Sequence, residues 1–251
     1  MYIKKLVGVF KLLYHDSALV AQKLYYELIL KSGFPVKGLK PQDLEIVDFG
    51  LSQGELDYFK KVGLGIYVLI NESECGKILC FLPNQYMPEH RHQSVLVMPK
   101  GSEIKKDFTE LKIVKDFKGI EEYGEDVVYL VPEKENTPAP KEGILIPGKQ
   151  EYFHTIYGTG SMFVPGTPTP NPTYHIPKDH QPYTTALHEI FLEPGVGHHL
   201  PANTPHSVVA GPRGLVVLEI SLTSRDPLDI FTNPKIDRIT HINERPQKST
   251  R

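Results

Sequence analysis

Hydrophobic residues fall in short runs along the chain from about residue 65 onward. Six of these runs are rich in β-branched and aromatic residues and are bounded by Gly, Pro or Asn: LGIYVLINES, KILCFLP, EYFHTIYG, SMFVPG, HEIFLEPG and GLVVLEISLTS. Short runs of this kind, separated by turn residues, are typical of the strands of a sandwich or barrel. The pattern therefore predicts an all-β domain.

The beginning of the chain has a different pattern. Between residues 16 and 33, apolar positions recur at spacings of three and four, which predicts a helix. Asp16 or Ser17 is expected to cap its start, and Gly33 follows as a stop signal. We divide the chain into an N-terminal helical extension (1–47), a β domain (48–240) and a polar tail (241–251).

Residues 94–146 interrupt the β domain. This segment is rich in Lys and Glu and has several Pro residues near its end. Because that composition does not suit a core element, we expect a partly structured insertion at the domain edge. It is expected to border the active site or a subunit contact, and its removal is expected to leave the site intact.

Composition and charge narrow the range of functions. The 28 basic and 30 acidic residues give a net charge of −2, so neither nucleic acid nor an acidic membrane surface is an expected partner. No segment has the roughly 18 uninterrupted apolar residues that a membrane span needs. The two cysteines lack a CxxC spacing and no signal peptide is evident, so we expect reduced thiols and a cytoplasmic location.

Three histidines and a carboxylate mark a candidate metal site. In PEHRH, His90 and His92 are two positions apart, so in a strand both side chains point to one face. Glu151 belongs to another predicted strand, and His206 ends the turn-rich pattern G-x5-P-x-N-x2-H. Imidazoles and a carboxylate brought together from successive strands suit a divalent metal ion.

The same motifs resemble the two cupin motifs, although residues 94–146 separate the histidine pair from its glutamate. With PGKQEYF, FVPGTPTPNP, HEIFLEPG, PANTPHSVVAGPRG and SLTSRDPLDIFTNPKI, residues 48–240 apart from the insertion are similar to the cupin-type D-lyxose isomerases. The resemblance implies a jelly-roll cupin β-barrel. It places the metal ligands at His90, His92, Glu151 and His206.

The resemblance also implies an activity, namely isomerisation of a free sugar through an enediol. The expected reaction is D-lyxose to D-xylulose, with D-mannose to D-fructose as a second activity. The expected cofactor is Mn²⁺, with Co²⁺, Zn²⁺, Ni²⁺ or Fe²⁺ as alternatives, and the expected assembly is a homodimer. Acid/base and substrate-holding groups are expected at Lys77, Lys149, Glu219 and Asp229.

Three alternative functions stay open on the sequence. A cupin phosphosugar isomerase would need basic groups for the phosphate, and no Arg/Lys cluster lies beside the motifs. A metal-dependent oxygenase uses the same donor set, and a non-catalytic sugar-binding cupin would bind sugar without exchanging its C2 hydrogen. The sequence does not decide whether His188, Glu189, Arg225 and Arg238 contact substrate.

Overall fold

The computed structural model describes residues 13–52, 56–104, 106–111, 123, 126–132 and 140–243. The helices are α1 (His15–Ser32) and α2 (Leu56–Lys61). The strands are β1 (Leu13–Tyr14), β2 (Glu45–Val47), β3 (Leu64–Asn71), β4 (Glu74–Phe81), β5 (Tyr86–Arg91), β6 (Val95–Pro99), β7 (Phe108–Leu111), β8 (Val127–Pro132), β9 (Ile144–Ile146), β10 (Glu151–Val164), β11 (His188–Leu192), β12 (Gly197–Leu200), β13 (His206–Leu222), β14 (Ile230–Phe231) and β15 (Ile242–Asn243).

Nine strands of the described chain form the main sheet, which confirms the all-β prediction. The order is β11-β10-β13-β4-β3-β2, with β12 beside β10, β5 beside β13 and β14 beside β5. The long strand β13 pairs with β5 near its start and with β4 near its end, while β10 runs beside it over most of its length. Strands on both sides of β13 therefore contribute side chains to one interior.

Away from the candidate site, that interior is mostly apolar. Its buried members include Leu64, Leu79, Phe153 and Val217, which come from four neighbouring strands. Because side chains alternate between the two faces of a strand, every second side chain points inward, and the inward-pointing side chains together form a continuous core. The same alternation carries polar residues inward at the end of the barrel where the site lies.

Helix α1 covers part of the outer face of the main sheet. Tyr25 and Ile29 are fully buried there and pack in one cluster with Ile78 and Val216. The stop at Gly33 is confirmed, since this residue caps the helix with a φ of 75°. The predicted cap at Asp16 or Ser17 is wrong: the helix starts at His15, and both residues lie inside its first turn.

The described part of residues 94–146 forms a second sheet in the order β7-β8-β6-β9. Val95 and Val97 are buried on one face of β6, and Leu96 and Met98 are buried on the other. The expectation that this segment does not suit a core element is therefore wrong for these strands. The composition of residues 94–146 gave the wrong prediction because most of the Lys and Glu residues lie between the strands in the sequence.

The division of the chain at residues 47 and 240 stays a prediction. Strand β2 precedes the first boundary, yet it pairs with β3 in the main sheet. The tail beyond residue 243 and the first 12 residues of the extension lie outside the described residues. Within the described chain, neither helix is both long and apolar enough to cross a membrane.

A buried hydrogen bond joins α1 to the turn before β5, and its contribution is testable. Tyr25 Oη donates to Gln85 Oε1 at 2.8 Å. Because Gln85 Oε1 also accepts from the Leu82 amide at 2.8 Å, it keeps a partner when the phenol is removed. Tyr25→Phe should therefore lower the free energy of unfolding by about 1 kcal/mol, the net value of one hydrogen bond, in a urea titration.

The neighbouring Tyr26→Phe is the matched control. Tyr26 is only partly buried in the same cluster, and its hydroxyl makes no hydrogen bond within the described residues. Its substitution should change the stability by less than about 0.5 kcal/mol. Equal losses from the two variants would contradict a specific role for the Tyr25 hydroxyl.

Candidate active site

Three buried imidazoles meet at one end of the barrel. His90 lies near the end of β5, His92 follows that strand, and His206 opens β13 directly opposite His90 in the pairing register. One ring nitrogen from each lies within 4.8 Å of the other two, and all three residues are buried. The spacing of two between His90 and His92 does bring both side chains to the same side, as the sequence predicts.

The outer nitrogen of each ring has a fixed partner. Nδ1 of His90 lies 3.0 Å from the Pro88 carbonyl oxygen, and Nδ1 of His206 lies 2.9 Å from that of Thr204. A carbonyl oxygen can only accept, so these two Nδ1 atoms carry the hydrogen and Nε2 is left with a lone pair. Nδ1 of His92 lies 2.7 Å from Asp229 Oδ1.

Glu151 completes the set. Its Oε1 lies 3.0 Å from Nε2 of His92, and its Oε2 lies 3.3 Å from Nε2 of His206. Neither of these two Nε2 atoms nor Glu151 Oε2 has a geometrically acceptable hydrogen-bond partner among the described residues, although all are buried. Buried polar atoms are nearly always paired, so converging unpaired donor atoms fit a metal ion.

Burial and neighbouring charges shift the pKa values of these groups in different directions. Burial, reinforced by the other two imidazoles, lowers the pKa of His90 to about 3, and burial also lowers the pKa of His206. Burial opposes the charged form of His92, but the carboxylates of Glu151 and Asp229 outweigh it and raise its pKa to about 9. Burial opposes ionisation of Glu151 too, yet His92 and Lys149 hold its pKa well below the usual range.

Lys149 and Glu219 lie beside this group. Lys149 Nζ is 2.7 Å from Glu151 Oε1 and 3.1 Å from Glu219 Oε1. Ser221 Oγ also donates to Glu219 Oε1, at 3.1 Å. Burial favours neutral Lys149, but the carboxylates of Glu151 and Glu219 more than compensate and raise its pKa well above the usual value. This lysine is therefore a buried cation.

A second cluster of polar side chains surrounds Asp226, a residue that is not among the predicted site residues. Lys77 Nζ lies 2.7 Å from Asp226 Oδ1, and Arg238 Nη2 lies 2.6 Å from Asp226 Oδ2. Burial opposes the charge of Lys77, but Asp226 raises its pKa, and Lys77 and Arg238 in turn hold the pKa of Asp226 well below its usual range. The available signal was the repeated Asp in SRDPLDIF, a turn sequence that follows β13 directly.

All eight predicted site residues line one cavity. Its empty volume is about 390 Å³, including the part open to solvent, which falls within the size range of small-molecule sites. The polar lining residues are Lys77, His90, His92, Lys149, Glu151, His206, Glu219, Asp226, Asp229 and Arg238. Apolar side chains, including Phe153 and Phe231, line the rest, and Phe231 stacks on the His90 ring with centroids 5.3 Å apart.

The four polar residues whose contact with substrate the sequence does not decide lie in different parts of the structure. Arg238 lines the cavity, whereas Arg225 lines a second cavity that shares His92, Lys149 and Asp229 with the first. His188 Nδ1 donates to the Thr167 carbonyl oxygen, and Glu189 accepts from the Thr173 amide. Neither His188 nor Glu189 lines either cavity, because their strand β11 lies at the end of the main sheet.

Comparison with known proteins supports the resemblance. No family model matches the chain. A D-lyxose ketol-isomerase from Thermofilum sp. is 34% identical over 223 residues, which cover 88% of this chain and 94% of that protein. A D-lyxose/D-mannose isomerase from Thermosediminibacter oceani is 31% identical over 224 residues, covering 89% of this chain and 94% of that protein.

The fold is also shared with solved structures. An L-ribose isomerase from Acinetobacter sp. DL28 in complex with L-ribose superposes with a TM-score of 0.60, covering 93% of this chain and 99% of that one at 13% identity. The ligand-free L-ribose isomerase of Cellulomonas parahominis gives 0.59 at 13% identity, covering 94% and 100%. These similarities support the cupin fold, while the sequence relationship identifies the family. The chain is a sugar isomerase that belongs to the D-lyxose ketol-isomerase family.

Proposed function

We propose that this protein converts D-lyxose to D-xylulose, and D-mannose to D-fructose, with the help of a divalent metal ion. The observation that carries the proposal is the convergence of unpaired, buried Nε2 atoms on the Glu151 carboxylate. His90, His92, Glu151 and His206 would hold the ion, for which Mn²⁺ is the first candidate and Co²⁺, Zn²⁺, Ni²⁺ and Fe²⁺ are alternatives. When bound, the ion would polarise the oxygens at C1 and C2 of the open-chain sugar.

Proton transfer at carbon falls to Glu219 in this proposal. A carboxylate that points into the cavity can take the C2 proton of an aldose and return it to C1. The hydroxyl proton on the C2 oxygen passes to the C1 oxygen in the same reaction, so the intermediate is the enediol. The only cation within ion-pair distance of Glu219 in the described structure is Lys149, at 3.1 Å. Because its raised pKa keeps Lys149 protonated, its ammonium is suited to stabilise negative charge on a sugar oxygen and is not suited to act as the base.

Lys77 and Asp229 have different tasks in this proposal. Lys77 is held by Asp226 and stands directly across from Glu219 in the β4–β13 pairing, so it is placed to hold sugar hydroxyls beside the reacting carbons. Asp229 contacts Nδ1 of His92, which favours the role of orienting a metal ligand over that of moving protons.

The charge balance of the cavity favours a free sugar over a phosphosugar. A phosphate would need cations that are not already neutralised. Lys77 and Arg238 share the Asp226 carboxylate, and Lys149 lies between Glu151 and Glu219. These contacts leave no surplus positive charge among the polar residues that line the cavity.

The test is a panel of aldoses and ketoses, phosphorylated and free, with metal-stripped protein and each of the candidate ions added back. Conversion of D-lyxose to D-xylulose that depends on added ion is the expected result. Oxygen uptake without isomerisation would favour an oxygenase. Sugar binding without exchange of the C2 hydrogen with deuterated water would favour a binding protein.

Removing one imidazole should remove the metal. His206→Ala deletes a buried donor at the centre of the site, so bound metal should fall sharply and turnover should be lost. His199→Ala is the matched control, since His199 is an exposed residue of β12 that lines neither cavity. Elemental analysis of both purified variants checks this. Full metal content in His206→Ala would overturn the ligand assignment.

Proton transfer can be separated from metal binding. Glu219→Gln keeps the shape of the side chain but cannot accept a proton, and Lys149→Met keeps an apolar stem without the ammonium. Both variants should keep near-normal metal content and lose about 10²–10⁴-fold in kcat, the usual contribution of an acid or base. Exchange of the C2 hydrogen should fall in parallel for Glu219→Gln. Turnover within about threefold of the parent would exclude Glu219 as the base or, for Lys149→Met, the ammonium as the group that stabilises charge on the sugar oxygen.

A homodimer in the cytoplasm is part of the same proposal, and a row of apolar residues supports the dimer. Ile70, Ile220 and Tyr152 lie on neighbouring strands on either side of Gly76 in the pairing register and face outward, each more than 40% exposed. We expect a second copy to cover this row. Sedimentation velocity should show a dimer for the parent and a monomer for Ile220→Asp, and a dimer in both would place the interface elsewhere.

A further inference from the structure

Two carboxylates of the site are presented by one short connection after β13. Asp226 begins the 3₁₀ turn Asp226–Leu228, and Asp229 follows it. Asp226 contacts Lys77 and Arg238, while Asp229 contacts His92. Ion pairs hold Asp226, whereas Asp229 is held on one side by β14, which follows it and pairs with β5 at Arg91 and His90.

Leu228 anchors the other side of Asp229. It lies between the two carboxylates in sequence, is 6% exposed, and belongs to the apolar cluster of the second sheet. Its neighbours in that cluster are Val95, Val97, Tyr129 and Ile146, which come from β6, β8 and β9. The side chain therefore anchors the connection in a sheet that contributes none of the proposed metal ligands.

The second sheet also holds the histidine that Asp229 contacts. Strand β6 begins three residues after His92. Between them, Gln93 Nε2 donates to the Pro132 carbonyl oxygen at the end of β8, at 2.8 Å, and Gln93 is buried. Both partners of the His92–Asp229 hydrogen bond are thus connected to the second sheet. His92 is connected through the backbone that leads into β6, and Asp229 through its neighbour Leu228.

We propose that Leu228 is a positioning residue that sets the metal affinity of the site by fixing Asp229 against His92. This inference rests on the proposed role of His92 as a metal ligand. A carboxylate on the far nitrogen of a ligating histidine fixes the orientation of its ring, and losing such a partner typically weakens metal binding about 10–100-fold. The proposal departs from the expectation that residues 94–146 can be removed with the site intact.

The experiment is a titration of metal-stripped protein with Mn²⁺, without sugar, so that it does not depend on turnover. Leu228→Ala should weaken Mn²⁺ binding about 10-fold or more, in the range expected for loss of such an orienting contact. The matched control is Leu130→Ala. Leu130 is 2% exposed and packs with Leu96, Met98 and Phe108 on the other face of the same sheet, so its truncation also destabilises the sheet without touching the connection. Its Mn²⁺ affinity should stay within about threefold of the parent, below the loss expected on removing an orienting contact.

A double-mutant cycle shows whether Leu228 acts through Asp229. Asp229→Ala should weaken Mn²⁺ binding by itself, and adding Leu228→Ala to it should cause no further loss, because residues that act through one contact are not additive. Leu228→Met, which refills the apolar site, should restore most of the affinity. If Leu228→Ala does not fold, Leu228→Val and Leu130→Val replace the two alanine variants. Leu228→Val should then weaken Mn²⁺ binding more than Leu130→Val does, by a smaller factor than the alanine variants show.

Each outcome has a distinct meaning. Equal weakening in the Leu228 and Leu130 variants, or fully additive losses in the double mutant, would overturn the positioning role and leave the proposed function standing. A parent protein that binds no Mn²⁺ or other divalent ion would overturn the proposed function and the positioning role with it. Unchanged affinity in Leu228→Ala would overturn the positioning role alone.

Discussion

Burial of charge at the end of the barrel is the constraint on which the rest of the site depends. Moving an isolated carboxylate into a protein interior costs several kcal/mol, and Glu151 is only 3% exposed. Its neighbours His92, His206 and Lys149 offset that cost. The arrangement then repeats, because each buried cation lies against a further carboxylate. The resulting chain of alternating charges is Glu219, Lys149, Glu151, His92, Asp229, Arg238, Asp226 and Lys77. To bind a metal ion through Nε2, His92 would give up the proton that makes it a cation in this chain.

This alternation of charge supports the proposed roles of the site residues. The carboxylates raise the pKa of both buried lysines, so Lys77 and Lys149 are permanent cations that can donate hydrogen bonds to sugar oxygens. His90 and His206 are instead kept neutral by burial, which is the form in which imidazole binds a metal. The protonation state of each residue therefore depends on its neighbours as well as on its type. In the proposed mechanism, a carboxylate that faces the cavity is suited to accept a proton from carbon.

The sequence predicted the parts of the site that local patterns determine. The period of a strand predicts that residues two apart share a face, and His90 and His92 do meet in one group, as do Lys149 and Glu151, although His92 lies just past β5 and Lys149 just before β10. Contacts between segments that are distant in the sequence could not be predicted from local patterns. Asp226 meets Lys77 across 149 residues, and nothing in the local pattern of either segment shows that they pair. The start of α1 was also misplaced, since Asp16 is a good cap by residue type but lies two residues past the actual N-cap, Tyr14, within the first turn.

The second sheet shows why an averaged composition is a poor guide to function. Its strands are apolar on both faces, so they can pack against the connection after β13 as well as against each other. Strands of the barrel fix His90, His206 and Glu151 through their ladders, whereas Asp229 sits on a loop that enters the ladder only after it, at β14, and loops hold side chains less tightly than strands do. In our proposal, packing Leu228 into a separate core adds rigidity to the side of that loop away from β14. The proposed metal ligands and the carboxylate that contacts one of them therefore depend on two different sheets, and the cavity that they line lies where the two sheets meet.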